Sequence, residues 1–101
     1  MRIEVAADND SVSPQIRTYA EYRLFTTLAR HARVIRRVRV ILGSPLQAGG
    51  ALTCEVDVSL QASGSARVLA HGPNMHAAID SAAERIGHVM DRLEAPNGDS
   101  V

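Results

Sequence analysis

At 101 residues, with 11 basic residues against 11 acidic ones, the chain is the size of one domain and formally neutral. A single cysteine excludes an internal disulfide and fits a reducing compartment, and no run of about twenty apolar residues is present to span a membrane. The N-terminus carries Arg2, Glu4, Asp8 and Asp10 with no apolar run, which argues against a signal peptide, so the chain reads as cytoplasmic. The aromatic residues are only Tyr19, Tyr22 and Phe25, so the core must be aliphatic.

Met1 to Ala7 alternates, with Ile3 and Val5 on one side and Arg2 and Glu4 on the other, which predicts a half-buried strand. Ser13-Pro14 supplies a capping hydroxyl and a proline at the first helical position. Ile16, Ala20, Leu24 and Leu28 then recur every four residues, a helix face that ends near His31. Val38, Val40 and Leu42 alternate with Arg37, Arg39 and Ile41 as a second strand, and a loop bracketed by Gly43-Ser44-Pro45 and Gly49-Gly50 follows. Leu52, Cys54, Val56, Val58 and Leu60 form the inward set of a third strand, with Thr53, Glu55, Asp57 and Ser59 outward. Ser63-Gly64-Ser65 turns the chain into a fourth strand around Ala66 to His71, which Gly72-Pro73 breaks. The last helix carries Met75, Ile79, Ala82, Ile86, Val89 and Leu93 at spacings of four and three, and Ala77, Ala78, Ala82 and Ala83 let it lie close to its neighbours.

The order β-α-β-β-β-α predicts an α+β domain over residues 1–94 and a short polar tail over 95–101. Strand-helix-strand at the start favours a parallel crossover, and the hairpin-spaced strands after it run antiparallel. The sheet is therefore mixed and four-stranded. One of its faces is apolar on every strand, so both helices are expected to cover that face and leave the other open to water.

The charge is unevenly laid out. Seven of the eleven arginines fall between Arg17 and Arg39, where Glu21 is the only acid. Such asymmetry points to an anionic partner, most commonly nucleic acid, and guanidinium forks suit phosphate. Arg37 and Arg39 are expected to lie near Glu55 and Asp57 on the open sheet face, as cross-strand pairs that need no ligand. The remaining basic set is Arg17, Arg23, Arg30, His31 and Arg33, which Arg85, His88 and Arg92 on the last helix extend. Asp80, Glu84 and Asp91 dilute the charge of that helix, so its face reads equally as solvated or as binding. Tyr22 and Phe25 fall away from the Ile16–Leu28 face. They can stack on splayed bases, fill the seam between the helices, or form a dimer patch, packing being the commoner outcome.

No catalytic group stands out. Cys54 has the inward phase of its strand, as a packed thiol would, and no serine, histidine and acid grouping has a nucleophile context. His71 and His76 lack a third ligand, which makes no case for a metal. His76 and His88 read as exposed helix residues, with Glu84 four positions before His88 as a local partner. The residues imply no cofactor and no enzyme.

Ser13-Pro14-Gln15-Ile16-Arg17-Thr18-Tyr19-Ala20, then Leu24, Leu28, Arg30-His31 and Val38-Arg39-Val40, in this order, resemble the ribosome hibernation-promoting family, also known as ribosome-associated inhibitor proteins. The junction Ala70-His71-Gly72-Pro73-Asn74-Met75-His76-Ala77-Ala78-Ile79-Asp80 carries the resemblance further, and together it covers about residues 1–94. It implies a non-enzymatic protein that binds the small ribosomal subunit, occupies the channel of messenger and transfer RNA, and holds idle ribosomes inactive under stress or in stationary phase. It also implies that Arg17, Arg23, Arg30 and Arg33 from the first helix and its exit, and Arg85, His88 and Arg92 from the second, anchor ribosomal RNA phosphates. Long members of the family have a second, dimerising domain that this chain is expected to lack. The alternative is a protein-interaction or homodimerisation module on the same fold, using Tyr22, Phe25 and the charge asymmetry.

Overall fold

A computed structural model describes residues 1–7, 12–43 and 52–94. The expected loop over residues 44–51 and the expected tail over 95–101 lie outside them. Strand β1 covers Arg2–Ala7, helix α1 Pro14–Leu28, strand β2 Ile35–Gly43, strand β3 Leu52–Leu60, strand β4 Ser65–Gly72 and helix α2 Met75–Leu93. A single 3-10 turn, Ala29–His31, follows α1. The sheet order is β1-β2-β3-β4, with β1 parallel to β2 and the other pairs antiparallel. This is the expected β-α-β-β-β-α domain with a mixed sheet.

Local chemistry sets the element ends. Ser13 stands before α1 in extended backbone and its hydroxyl accepts from the Ile16 N–H at 3.3 Å, with Pro14 opening the helix. Asn74 does the same for α2, accepting from the Ala77 N–H at 2.8 Å. Gly64 turns the β3–β4 hairpin with φ of 86°, the left-handed region where a side chain is strained. Gly72 sits at the junction of β4 and α2, where a Cβ would come within 2.6 Å of the Ala78 nitrogen. Only glycine allows the strand to deliver the helix at that distance.

The core is aliphatic throughout. Val38, Val40, Leu42, Cys54, Val56, Val58, Val68 and Ala70 point from the sheet towards Ala20, Leu24 and Leu28 of α1 and Met75, Ile79, Ala82, Ile86 and Met90 of α2. Helix α2 covers β3 and β4, while α1 lies against β1 and α2. At the helix–helix contact the position of a Cβ on Gly87 is 3.0 Å from the Thr27 methyl, so the absence of a side chain there sets the separation. The buried stripe of α2 runs through Met90 where the sequence pattern points to Val89 and Leu93. A helix of 3.6 residues per turn drifts off a strict four-three repeat, and Leu93 is left 56% exposed on the last turn. Cys54 is fully buried, and burial pushes its thiol up to about 12.

The β2 strand departs from simple alternation. A register shift between Ile35 and Arg37 puts Ile35 and Val38 both in the core and leaves Arg36 and Arg37 both exposed. On the open face Arg39 is then opposite Asp57, but Arg37 is opposite Ser59, and Glu55 is opposite Ile41. The expected neighbourhood of Arg37 and Arg39 with Glu55 and Asp57 therefore holds for Arg39 beside Asp57 and is corrected for Arg37, which faces Ser59. Those two carboxylates are held from the other side by Arg67 of β4, at 3.4 and 3.2 Å.

Candidate nucleic-acid interface

The basic residues divide into two populations. The first lines the seam between α1 and α2. Arg23 donates through Nε to Asp80 at 3.2 Å and through Nη1 to Thr27 at 2.7 Å. The Tyr19 hydroxyl donates to the same Asp80 oxygen at 2.5 Å, and this bond above all, with burial, raises the phenol pKa. The His76 ring packs at a tilt on Tyr19, centroids 4.6 Å apart. Just past the end of α1, Arg30 grips Asp91 with two bonds of 2.6 and 2.7 Å. His31 is buried, with Nε2 at 3.0 Å from Asp91 and Nδ1 against Glu94. Burial alone would raise the Asp91 carboxyl, but the hydrogen bonds from Arg30 and His31 outweigh it and hold it below its ordinary value. Arg17, half-buried, donates to the Val5 carbonyl of β1 at 3.1 Å.

The second population lies on the far flank of α2, where the helix overhangs β4. Arg67, Val68, Arg85, His88, Val89 and Arg92 line a groove of about 340 Å³. No carboxylate is among these six residues. Arg85 donates through Nη1 to the Leu69 carbonyl at 2.6 Å and makes no ion pair among the described residues. His88 and Arg92 make no ion pair among the described residues, and the expected partner of His88, Glu84, does not engage it.

The structure thus separates what the charge pattern groups. Arg17, Arg23, Arg30 and His31 are committed to internal contacts. Arg33 is exposed in the turn before β2, away from those pairs. Arg85, His88 and Arg92 come together, and Arg67, which the charge pattern does not single out, lines the same groove while its guanidinium pairs with Glu55 and Asp57. Its signal is its outward phase on the strand that leads straight into α2. Asp80 and Asp91, expected to dilute the charge of α2, turn into the seam and leave the other flank basic.

Tyr22 and Phe25 do not fill the seam; they are 66% and 55% exposed. With Met1, Ile3, Thr18 and Glu21 they line a second groove, of about 430 Å³, on the β1 side. Tyr19 is the aromatic residue that meets α2. The difference follows from helix phase: position 22 falls opposite the buried Ala20 stripe, while positions 19 and 25 flank it on its two sides, 19 towards α2 and 25 towards β1.

A domain of this topology, with a basic flank and no converging catalytic groups among the described residues, matches one family throughout. The family model described as Sigma 54 modulation protein / S30EA ribosomal protein matches residues 3–95, and the chain belongs to that family, a ribosome-associated and non-enzymatic one. Among solved structures, the Thermus thermophilus Protein Y N-terminal domain superposes with a TM-score of 0.76 at 26% identity, covering 93% of this chain and 100% of that one. A ribosomal subunit interface protein from Coxiella burnetii gives a TM-score of 0.78 at 16% identity, covering 95% and 100%, which bears on the fold alone. A search of curated proteins gives no match.

Proposed function

We propose that this protein binds the small ribosomal subunit, occupies its decoding channel and so keeps idle ribosomes inactive under stress or in stationary phase. Membership of a ribosome-associated family supports the partner. The single observation that carries the contact is the groove of Arg85, His88 and Arg92, a basic concavity whose lining holds no acid. Its forks and ring suit ribosomal RNA phosphates, which confer affinity and register more than sequence preference. Arg33 and the exposed part of Arg30 extend the contact. Arg17, Arg23 and His31 support it from within by fixing α1 on β1 and on α2. The action is steric occlusion in the cytoplasm, with no catalysis.

The test is co-sedimentation of the purified protein with small subunits across a salt series. Binding at low salt, falling as salt rises and lost in an Arg85→Gln/His88→Gln/Arg92→Gln variant, is the expected result. Binding that ignores both salt and these substitutions would sink the reading.

The exposure of Tyr22 and Phe25 beside the outer strand β1 favours a second reading, homodimerisation through that groove. It predicts a molar mass in solution that rises with concentration and drops to the monomer on Tyr22→Ser/Phe25→Ser.

A further inference from the structure

The open sheet face holds a second basic concavity, far from the groove on α2. Strands β1 and β2 start side by side, with Arg2 directly across from Arg37 and Ser59 on the other side of Arg37. The next residue along that row is Ser65 of β4. The row Arg2–Arg37–Ser59–Ser65 thus contains two cations, two hydroxyls and no acid. The neighbouring row, Glu4–Arg39–Asp57–Arg67, alternates in sign. The irregularity at the start of β2 adds a third cation by turning Arg36 outward as well. Arg2, Arg36, Arg37 and Ser59 together line a cavity of about 300 Å³.

The local acids neutralise this corner only in part. Glu55 and Asp57 are held by Arg67, and Glu4 approaches only Arg2, at 3.6 Å. Arg36 has one long bond, 3.4 Å, to the Gln61 carbonyl, and Arg37 has no ion pair among the described residues. Like charges placed directly across a strand pair repel. A bound oxyanion would relieve that repulsion, and planar forks with a hydroxyl offer the donors that phosphate accepts.

We propose that Arg2, Arg36, Arg37 and Ser59 form a phosphate-binding site on the face of the sheet opposite the helices. The domain then holds anions on both of its sides. The group bound is a phosphate ester, supplied either by an RNA backbone or by the polyphosphate of a free nucleotide.

The experiment is a titration of the isotopically labelled full chain with pyrophosphate, read on the backbone amides by NMR. Saturable shifts at Arg36, Arg37 and Ser59 are expected. Arg36→Gln/Arg37→Gln should weaken them by about tenfold or more, as loss of charge-assisted bonds requires. Arg39→Gln removes a charge from the same strand and should leave the affinity within about twofold, because Arg39 stands in the neighbouring row and does not line the cavity. Arg85→Gln/Arg92→Gln should also leave it intact, so this site and the ribosome-binding groove can fail independently. Shifts that never saturate, an equal loss in Arg39→Gln, or shifts confined to α2 would overturn the proposal. A single-stranded RNA without terminal phosphates then names the source. Displacement of pyrophosphate from the corner assigns the backbone phosphodiester, and no displacement assigns the free polyphosphate.

Discussion

The seam between the helices and the outer flank of α2 use the same residue types for opposite ends. In the seam Arg23 and Arg30 each meet a carboxylate within 3.2 Å, Asp80 and Asp91 respectively. On the flank Arg85, His88 and Arg92 share a concavity with no acid in its lining. The two lie on opposite sides of one helix. What separates them is helical phase: Asp80 and Asp91 are eleven residues apart, close to three turns, and so fall on one line facing α1. An arginine's availability is thus decided by which side of α2 its neighbours' acids occupy, and counting arginines does not reveal it.

The sharpest way to break this contrast is at Gly72, which sets how α2 leaves β4 and therefore the width of the groove. Gly72→Ala places a Cβ against backbone atoms of Ala77 and Ala78, and such overpacking costs about 1–3 kcal/mol. Urea unfolding should show that loss, and RNA affinity should fall with it.

Next in size is the flank itself. Arg85→Gln/Arg92→Gln should weaken binding to single-stranded RNA about tenfold and lower the salt slope by about 1.4, at about 0.7 for each phosphate that is no longer neutralised. The unfolding midpoint should not move. Arg23→Gln should do the reverse. Because Arg23 and Asp80 are both partly exposed, it should cost less than about 1 kcal/mol of stability and leave the salt slope unchanged.

The smallest effect is in acid. Asp91 is held below its ordinary 3.8 in the fold, net of a burial contribution that works the other way. Its stabilisation is therefore complete above 3.8 and is lost as pH falls through the lower folded value. The stability gap between the wild type and Asp91→Asn should be constant near neutrality and close in acid. A gap unchanged down to the lowest accessible pH would mean that Arg30 and His31 do not hold this carboxylate as drawn.

Most of the fold is legible in the sequence because its signals are local. Ser13-Pro14 caps α1, Leu52 to Leu60 alternates without interruption, and Ser63-Gly64-Ser65 turns the hairpin. The interface is legible only in part, because it depends on register and phase between distant elements. The register of β2 on β3 sets Arg37 opposite Ser59 and not an acid, and the irregularity at Ile35–Arg37 turns Arg36 outward beside it; no spacing in the sequence marks either. Arg67 is one arginine in an alternating strand until β4 is placed beneath α2. Tyr22 and Phe25 suggest seam residues because large aromatic rings usually pack, yet their phase on α1 turns them away from α2 and towards β1.

The internal pairing of the seam also governs how this molecule meets a polyanion. Its formal net charge is zero, so beyond a screening length of about 8–10 Å it offers no monopole for a phosphate lattice to attract. What remains is a dipole, whose torque acts only when the basic flank is already turned the right way. A uniformly basic protein of the same size would coat any nucleic acid it touched. This one gains electrostatic energy only from an oriented encounter, so its association is slower, and its time on the wrong surfaces shorter, than its eleven arginines suggest.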